Sequence, residues 1–425
     1  MINIKKKFLS KIYSGYGYKF YPEQFKINFK NEKNFFYYKK PKKQKKSGSY
    51  NLSLASESVM VNSSNIWNFK KFNDREDFSL LHRWTWAIKL VSSDKRKTNY
   101  KKIQFIENAL INWCILYSTK KIERKNIIFE PYNISERICN YLILIKLKII
   151  KPNQYILQSL EKQFFFLLEN IEYYKFKLSN HSLNNLRAIY LFSTYSKKKK
   201  LTNYSLKFIC YLLNNFLDNH GFFKFGSSNY QFIFARWVSD ILLFSSKIKS
   251  RRVEFIKNKF NKIIYSLNFF KQQNKKEINI PFFGDISPDI ENRWLLNFFF
   301  NKKDNHFFQT YWRQLSCKNL VKKINSKEWI KIQNRNFSIY SRNPKLVGFD
   351  FNHSHNDFFN FILFLRGKAI FIDLGRKNYS SKSLRNDISS KSHNSICIDD
   401  KGIYDEYLLL SLLNKFGLKD LINCN

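Results

Sequence analysis

The sequence predicts an α+β protein of more than one domain, with a long helical part followed by a C-terminal antiparallel β part. Three observations predict it. From Phe78 to about Phe300 the chain runs in segments rich in Leu, Ile, Phe and Lys, with apolar residues at helical spacing. At KKEINIPFFGDISPD, two prolines and a glycine break that texture. After about Lys331, apolar and polar residues alternate with the period of a half-buried strand.

Residues 1 to about 60 mix aromatics with the basic run KKPKKQKK and the Ser-rich NLSLASESVMVNSSN, without sustained periodicity. They read as an extended arm or poorly ordered lead-in, its basic run a solvated tail or a grip on a polyanion. The helical part follows. ISERICNYLILIKL, YSLKFICYLLNNFLDN and QFIFARWVSDILLFSS share one texture, and in SLNNLRAIYLFSTYS the residues Leu183, Leu186, Ile189 and Tyr190 recur at helical spacing, with Asn180 or Ser182 placed to cap the start. Helices of ~12–18 residues joined by short loops point to antiparallel pairs in a bundle, a solenoid or a toroid; no fixed-period repeat selects a named solenoid.

The segment from Asn274 to Asp289 reads as a domain boundary or an active-site loop. A short helical stretch, RWLLNFFF to TYWRQL, precedes the strands. FSIYSRN and LVGFDFNHS alternate, FNFILFLRGKAIFIDLG reads as two strands joined at Arg366, Gly367 and Lys368, and HNSICIDD is a further short strand. The expected domains are a lead-in over 1–65, a helical domain over 66–325 and a β domain over 326–425.

Composition bounds the function. In 425 residues, 75 Lys and Arg stand against 32 Asp and Glu, a net charge of +43. With 44% hydrophobic and 18% aromatic residues the chain is not a solvated polyelectrolyte and must bury a core. The charge fits a polyanion partner. It fits equally a compositional bias toward the residues of AT-rich codons, since Gly (11), Pro (7) and Met (2) are scarce. No recognition-helix, RNP or zinc-finger motif supports nucleic-acid binding. The six cysteines form no CxxC pair and no disulfide framework. MINIKKKFLSKIYSGYGYKFY has the basic start of an export signal without an apolar region of ~7–15 residues. No ~18-residue apolar span appears either, because Lys146 and Lys148 interrupt YLILIKLKII.

Three polar clusters carry candidate chemistry. His353 and His355 in NHSHND, Asp373 at the end of the hairpin and His393 in SHNSICIDD offer imidazole nitrogen and carboxylate oxygen, donors that suit Zn²⁺; hydrogen-bonded strand histidines are the plainer alternative. Two residues apart in a strand, His353 and His355 would face one side. Asn180 and His181 stand where a helix begins, where an Asn is most often an N-cap. Tyr230 follows the Gly-Ser-Ser loop of GSSNYQF and precedes a helix, a position where a tyrosine is more often core or rim than catalytic.

Their order along the chain resembles the heparinase II/III-like polysaccharide lyases and their alginate-lyase relatives. The matching stretches are PYNISERICN, NHSLNNLRA, GSSNYQ, HSHNDFFNF, FIDLG and SHNSICID, spanning about residues 80 to 400, with HSHND, IDLG and HN the specific part. The resemblance implies an N-terminal (α/α) toroid followed by an antiparallel β-sandwich, and β-elimination of a uronate-containing acidic polysaccharide. By the same resemblance Asn180 would stabilise the enolate-like state of the uronate carboxylate. Tyr230 would protonate the leaving oxygen and also take the C5 proton. His181 and His353 would flank the sugar as base and as donor. His355, Asp373 and His393 would bind a structural zinc, with no organic cofactor, while Asp357 would support the loop by hydrogen bonding.

The chain departs from the family's pattern in three places. Phe225 stands where members often carry Glu, Asn352 replaces the Gly before HxH, and the β part is short, so that the sandwich reads as truncated. A glycan-binding protein without turnover, on the same scaffold, is therefore the alternative function. The resemblance also implies a periplasmic or envelope location, against a cytoplasmic one where no cleavable signal is visible.

Overall fold

The computed structural model describes residues 48–54, 56–68, 72, 74–117, 126–172, 179–273, 278–315, 328–343, 353–355, 357–376, 387–399 and 401–402. The chain divides into two compact units, Met1–Ser205 with Asn305–Phe307, and Leu206–Asp304 with Phe308–Asn425. The division falls inside the helical part, so the second unit carries both helices and the main sheet.

The first unit opens on a hairpin, β1 (Tyr50–Ser53) and β2 (Ser58–Val61), with Leu52 opposite Val59. These residues belong to the stretch expected to be an irregular lead-in. The alternation of buried Leu52, Val59 and Val61 with exposed neighbours gives the ribbon one apolar face, too short a signal to stand out among the surrounding basic residues. Helices α1 (Arg75–Arg83) and α2 (Thr85–Val91) follow. Asp74 caps α1, its Oδ1 accepting from the amide of Glu76 at 2.8 Å, and Trp84 ends it in the left-handed region at φ 61°.

Helices α3 (Tyr100–Tyr117), α4 (Pro131–Lys146), α5 (Gln154–Glu169) and α6 (Asn180–Tyr195) complete this unit with the start of α7 (Lys199–Phe216). Every residue of α4 from Pro131 to Leu144 is buried, polar ones included, so its polar groups need internal partners. The Arg137 guanidinium donates to Gln163 Oε1 and to the carbonyls of His82 and Ile128, and lies 4.4 Å from the centroid of the Trp113 ring. Arg187 of α6 pairs with Glu136 of α4 at 2.8 Å, with side-chain exposures of 0% and 2%.

In the second unit α8 (Ser228–Ser245) is buried along its whole length, whereas α9 (Arg251–Phe270) buries one stripe, Val253, Ile256, Phe260, Ile263, Leu267 and Phe270, at helical spacing. A two-stranded ribbon, β3 (Gln272–Gln273) with β4 (Ile278–Asn279), and the helices α10 (Asn292–Phe300) and α11 (His306–Leu315) lead to the sheet.

That sheet is antiparallel, in the order β5 (Trp329–Gln333), β6 (Phe337–Arg342), β7 (Phe361–Leu365), β8 (Lys368–Phe371). Ile332 faces Ile339, and Ile339 faces Leu363. The turn between β7 and β8 uses positive φ at Arg366 (48°) and Gly367 (79°), as a two-residue hairpin needs. On one face Trp329, Tyr340, Ile362 and Phe364 are buried, with Trp329 against Phe222, Phe270 and Phe283. On the other, Ile330, Ile332, Phe361 and Leu365 are exposed, as is all of β8.

The strand expected in HNSICIDD is the ribbon of β9 (Cys397–Ile398) with β10 (Lys401–Gly402). Most of LVGFDFNHS lies outside the described residues, and its end at His353 is not a strand. Cys114, Cys139, Cys210 and Cys397 are free, and among the described residues no helix is long and apolar enough to cross a membrane.

Candidate active site

Tyr230 sits in the first turn of α8, not ahead of the helix as its loop context implied. The reason is the cap: Ser227 Oγ accepts from the Tyr230 amide at 3.1 Å, which starts the helix one residue after Ser227. Gly226 precedes it at φ 72°, and a Cβ there would collide with Ser354 and Arg342.

His353 and His355 lie in an irregular segment rather than a strand, yet both rings reach one carboxylate. His353 Nδ1 is 3.1 Å from Asp285 Oδ2 and His355 Nε2 is 3.0 Å from Asp285 Oδ1. The backbone there pairs with the 280–290 loop instead of the sheet: the Asp285 amide donates to the His353 carbonyl at 2.9 Å. Arg376 Nη1 adds contacts of 3.3 and 3.4 Å to the Asp285 carboxylate. Burial would raise the Asp285 carboxyl, but the hydrogen bonds and charge of His353 and His355 hold it well below the ordinary carboxylate range.

The His353 ring stacks on Tyr230, with centroids 3.5 Å apart and planes 14° from parallel. Phe225 fills the position of the expected acidic residue. It packs on Phe216 and Phe234 and meets the His353 ring edge-on at 6.3 Å.

The 280–290 loop joins these parts. Ser228 Oγ donates to the Pro281 carbonyl at 2.6 Å and accepts from the Phe283 amide at 3.0 Å, Ser227 Oγ donates to the Asp285 carbonyl at 2.6 Å, and the Ser287 amide donates to Asn229 Oδ1 at 2.8 Å. The loop is thus tied both to the turn that bears Tyr230 and to His353. Asp285 was absent from the sequence candidates. Its signal was a carboxylate directly after a glycine in a proline-bounded loop.

Beside it lies a second imidazole–carboxylate pair. His393 Nδ1 is 3.0 and 3.1 Å from the two oxygens of Asp373, which also accepts from the Gly375 amide at 2.6 Å and from Asn360 Nδ2. Burial would raise the Asp373 carboxyl, but His393 lowers it; burial would lower the His393 imidazolium, but Asp373 raises it. The His355 and His393 rings stack at 4.8 Å. Asp357 Oδ2 accepts from Asn360 at 3.0 Å, the supporting role expected of it, and burial raises its carboxyl.

The three expected metal ligands therefore lie in one cluster, but each imidazole already holds a carboxylate. As they stand, no group of three His, Cys, Asp or Glu among the described residues is arranged to hold a metal ion. What the donor set leaves over is His355 Nδ1, His393 Nε2 and Asp357 Oδ1, all buried and without a hydrogen-bond partner. Orphaned groups of this kind cost about 1–3 kcal/mol each.

In the first unit, Asn180 is the first residue of α6 and is buried; the cap is Ser179, not Asn180 or Ser182. Ser182 completes the capping box, its Oγ accepting from the Ser179 amide at 3.2 Å. His181 is half exposed, packs against Tyr132 at 4.8 Å with the ring planes tilted by 51°, and bonds Glu172 Oε1 through Nδ1 at 3.1 Å. Asn185 ties Glu172 down from α6, its Oδ1 accepting from the Glu172 amide at 2.8 Å.

Residues 322–420 match the family model described as Heparinase II/III-like, C-terminal. HSHND, IDLG and HN, the specific part of the sequence resemblance, all fall within that segment. Two of the solved structures similar in fold are of heparinase III. A heparinase III crystal structure is 15% identical, with a TM-score of 0.56, over 79% of this chain and 57% of that one. A heparinase III gene product is 14% identical, with a TM-score of 0.50, over 79% of this chain and 58% of that one. The chain thus spans less than three-fifths of the length of either. No curated protein matches it in sequence.

Proposed function

We propose that this chain is a polysaccharide lyase that cleaves an acidic, uronate-containing glycan by β-elimination, on the (α/α) toroid and β-sandwich scaffold of the family it resembles. The observation that carries the reading is the stack of Tyr230 on His353 at 3.5 Å, a phenol and an imidazole in contact in a chain with the fold of a heparinase. Abstraction of the C5 proton builds charge on the uronate carboxylate, and the Asn180 amide is assigned to that charge. Tyr230 is assigned to proton transfer at C5 and at the leaving oxygen, with His353 as its neighbouring donor and His181 as base. A periplasmic or envelope location goes with such a substrate.

His355, Asp373 and His393 are the proposed zinc ligands, and their place in one cluster, with the two rings stacked at 4.8 Å, supports this. The ion would supply rigidity to the loop beside the reacting groups. Metal analysis of the purified chain, with thermal melts in the presence and absence of chelator, tests it: no zinc and no shift in Tm would leave the three as ordinary hydrogen-bonded residues.

Catalysis is tested by incubating the chain with a panel of uronate polymers and following the ultraviolet absorbance of the unsaturated product. Tyr230→Phe is expected to lower the rate by ~10²–10⁴-fold. Absence of product across the panel sinks the catalytic reading. A second reading, glycan binding without turnover, is favoured by Phe225, whose packing replaces an ionisable group next to the tyrosine loop. Salt-sensitive binding with no turnover would decide for it.

A further inference from the structure

We propose that Asp285 is the positioning residue of this site, its carboxylate setting the His353 ring and its main chain tying that histidine to the turn that bears Tyr230. The inference deepens the proposed function and rests on it for its kinetic part, while its structural part stands alone.

Asp285 is 2% exposed, so its carboxylate must find its partners within the protein. It finds three: His353 Nδ1 at 3.1 Å, His355 Nε2 at 3.0 Å and Arg376 Nη1 at 3.3 Å. An ionised carboxylate only accepts hydrogen bonds. Both ring nitrogens that face it therefore donate to it. With the Tyr230 ring stacked on its face and Asp285 at its edge, the imidazole is held in two directions. The backbone of the same residue makes the second tie. Its amide donates to the His353 carbonyl, while its carbonyl accepts from Ser227 Oγ, the cap of the Tyr230 amide. One residue thus joins the two parts of the chain that carry the proposed acid and its neighbour.

Asp285→Asn keeps the volume but replaces one acceptor oxygen with a donor, so one of the two imidazoles loses its partner. The test uses the full chain labelled with ¹⁵N-histidine, with the His353 resonances assigned through His353→Gln. In the wild type, His353 is expected to carry its proton on Nδ1; in Asp285→Asn its ring resonances shift. In the lyase assay the variant is expected to lose ~10–100-fold in kcat, with KM changed by less than about twofold, since orientation of a bound group and not ground-state binding is lost. A wild-type His353 protonated on Nε2 alone overturns the proposal, as do unchanged ring resonances with unchanged kcat in the variant. If Asp285→Asn does not fold, the wild-type tautomer decides by itself. If the wild type has no lyase activity, the proposed function fails while the ring resonances still decide the role of Asp285.

Discussion

Gly284, next to Asp285, has φ 68°, and a Cβ on it would meet the His353 carbonyl and the Gly226 carbonyl, two backbone atoms that cannot step aside. Gly284→Ala is accordingly expected to destabilise the second unit by about 2 kcal/mol or more, seen as a fall in Tm. An unchanged Tm would mean that this loop has room the contacts deny. Thiol chemistry gives a second residue-scale prediction. Burial pushes the Cys114 thiol up to about 12, whereas Cys397 is exposed. Cys397→Ser is expected to remove a fast-reacting thiol from the native protein in a titration with an aromatic disulfide, and Cys114→Ser is expected to remove none. His353, His355 and His393 were legible as residues because imidazoles are rare here, seven in the whole chain. Asp285 was not, since its partners lie some 70 positions downstream and nothing local marks one carboxylate among 32 acidic residues as buried.

Helices α4 and α6 were legible from apolar spacing, but their spacing did not say that the polar residues between would be buried too. The Arg187–Glu136 pair is the consequence. Glu136→Gln is expected to cost about 3–5 kcal/mol by leaving a guanidinium uncompensated in the interior, read from denaturant unfolding; a loss below about 1 kcal/mol would place the pair in solvent. On β5, burial lowers the Lys331 ammonium to about 8, and its Nζ donates to the Phe269 carbonyl at 3.3 Å. The folded state thus disfavours the charged form. That penalty is fully present below pH 8 and fades as pH rises from about 8 toward the ordinary value of 10.5. Lys331→Met is expected to raise Tm most at neutral pH, with a gain that shrinks by pH 10; a gain that grows with pH would reverse the sign. Alternation placed β6 and β7 within two residues of their ends, but β5 went unread and β8 ends earlier than its alternation suggested, and the exposed Ile330, Ile332, Phe361 and Leu365 show that alternation told only where one face lies.

At the scale of the molecule the charge excess is +43. Self-repulsion of that size opposes the compact state and is screened by salt. Tm is expected to rise as NaCl goes from about 20 to about 200 mM, where the Debye length falls below ~10 Å; a fall in Tm would mean that favourable ion pairs outweigh the repulsion. Lysines crowd locally as well: burial and the charges of Lys262 and Lys224 together lower the Lys259 ammonium. The sequence by itself determined the helical part, the strands after it, and a set of histidines and a tyrosine in a telling order, because periodicity and rare residue types are local properties that survive in one dimension. Only the tertiary structure decided that Tyr230 stacks on His353, that two histidines share one carboxylate, and that Asp285 is the residue between them. Those are distances across a folded loop, set by which backbone groups find partners, and a linear pattern carries no record of them.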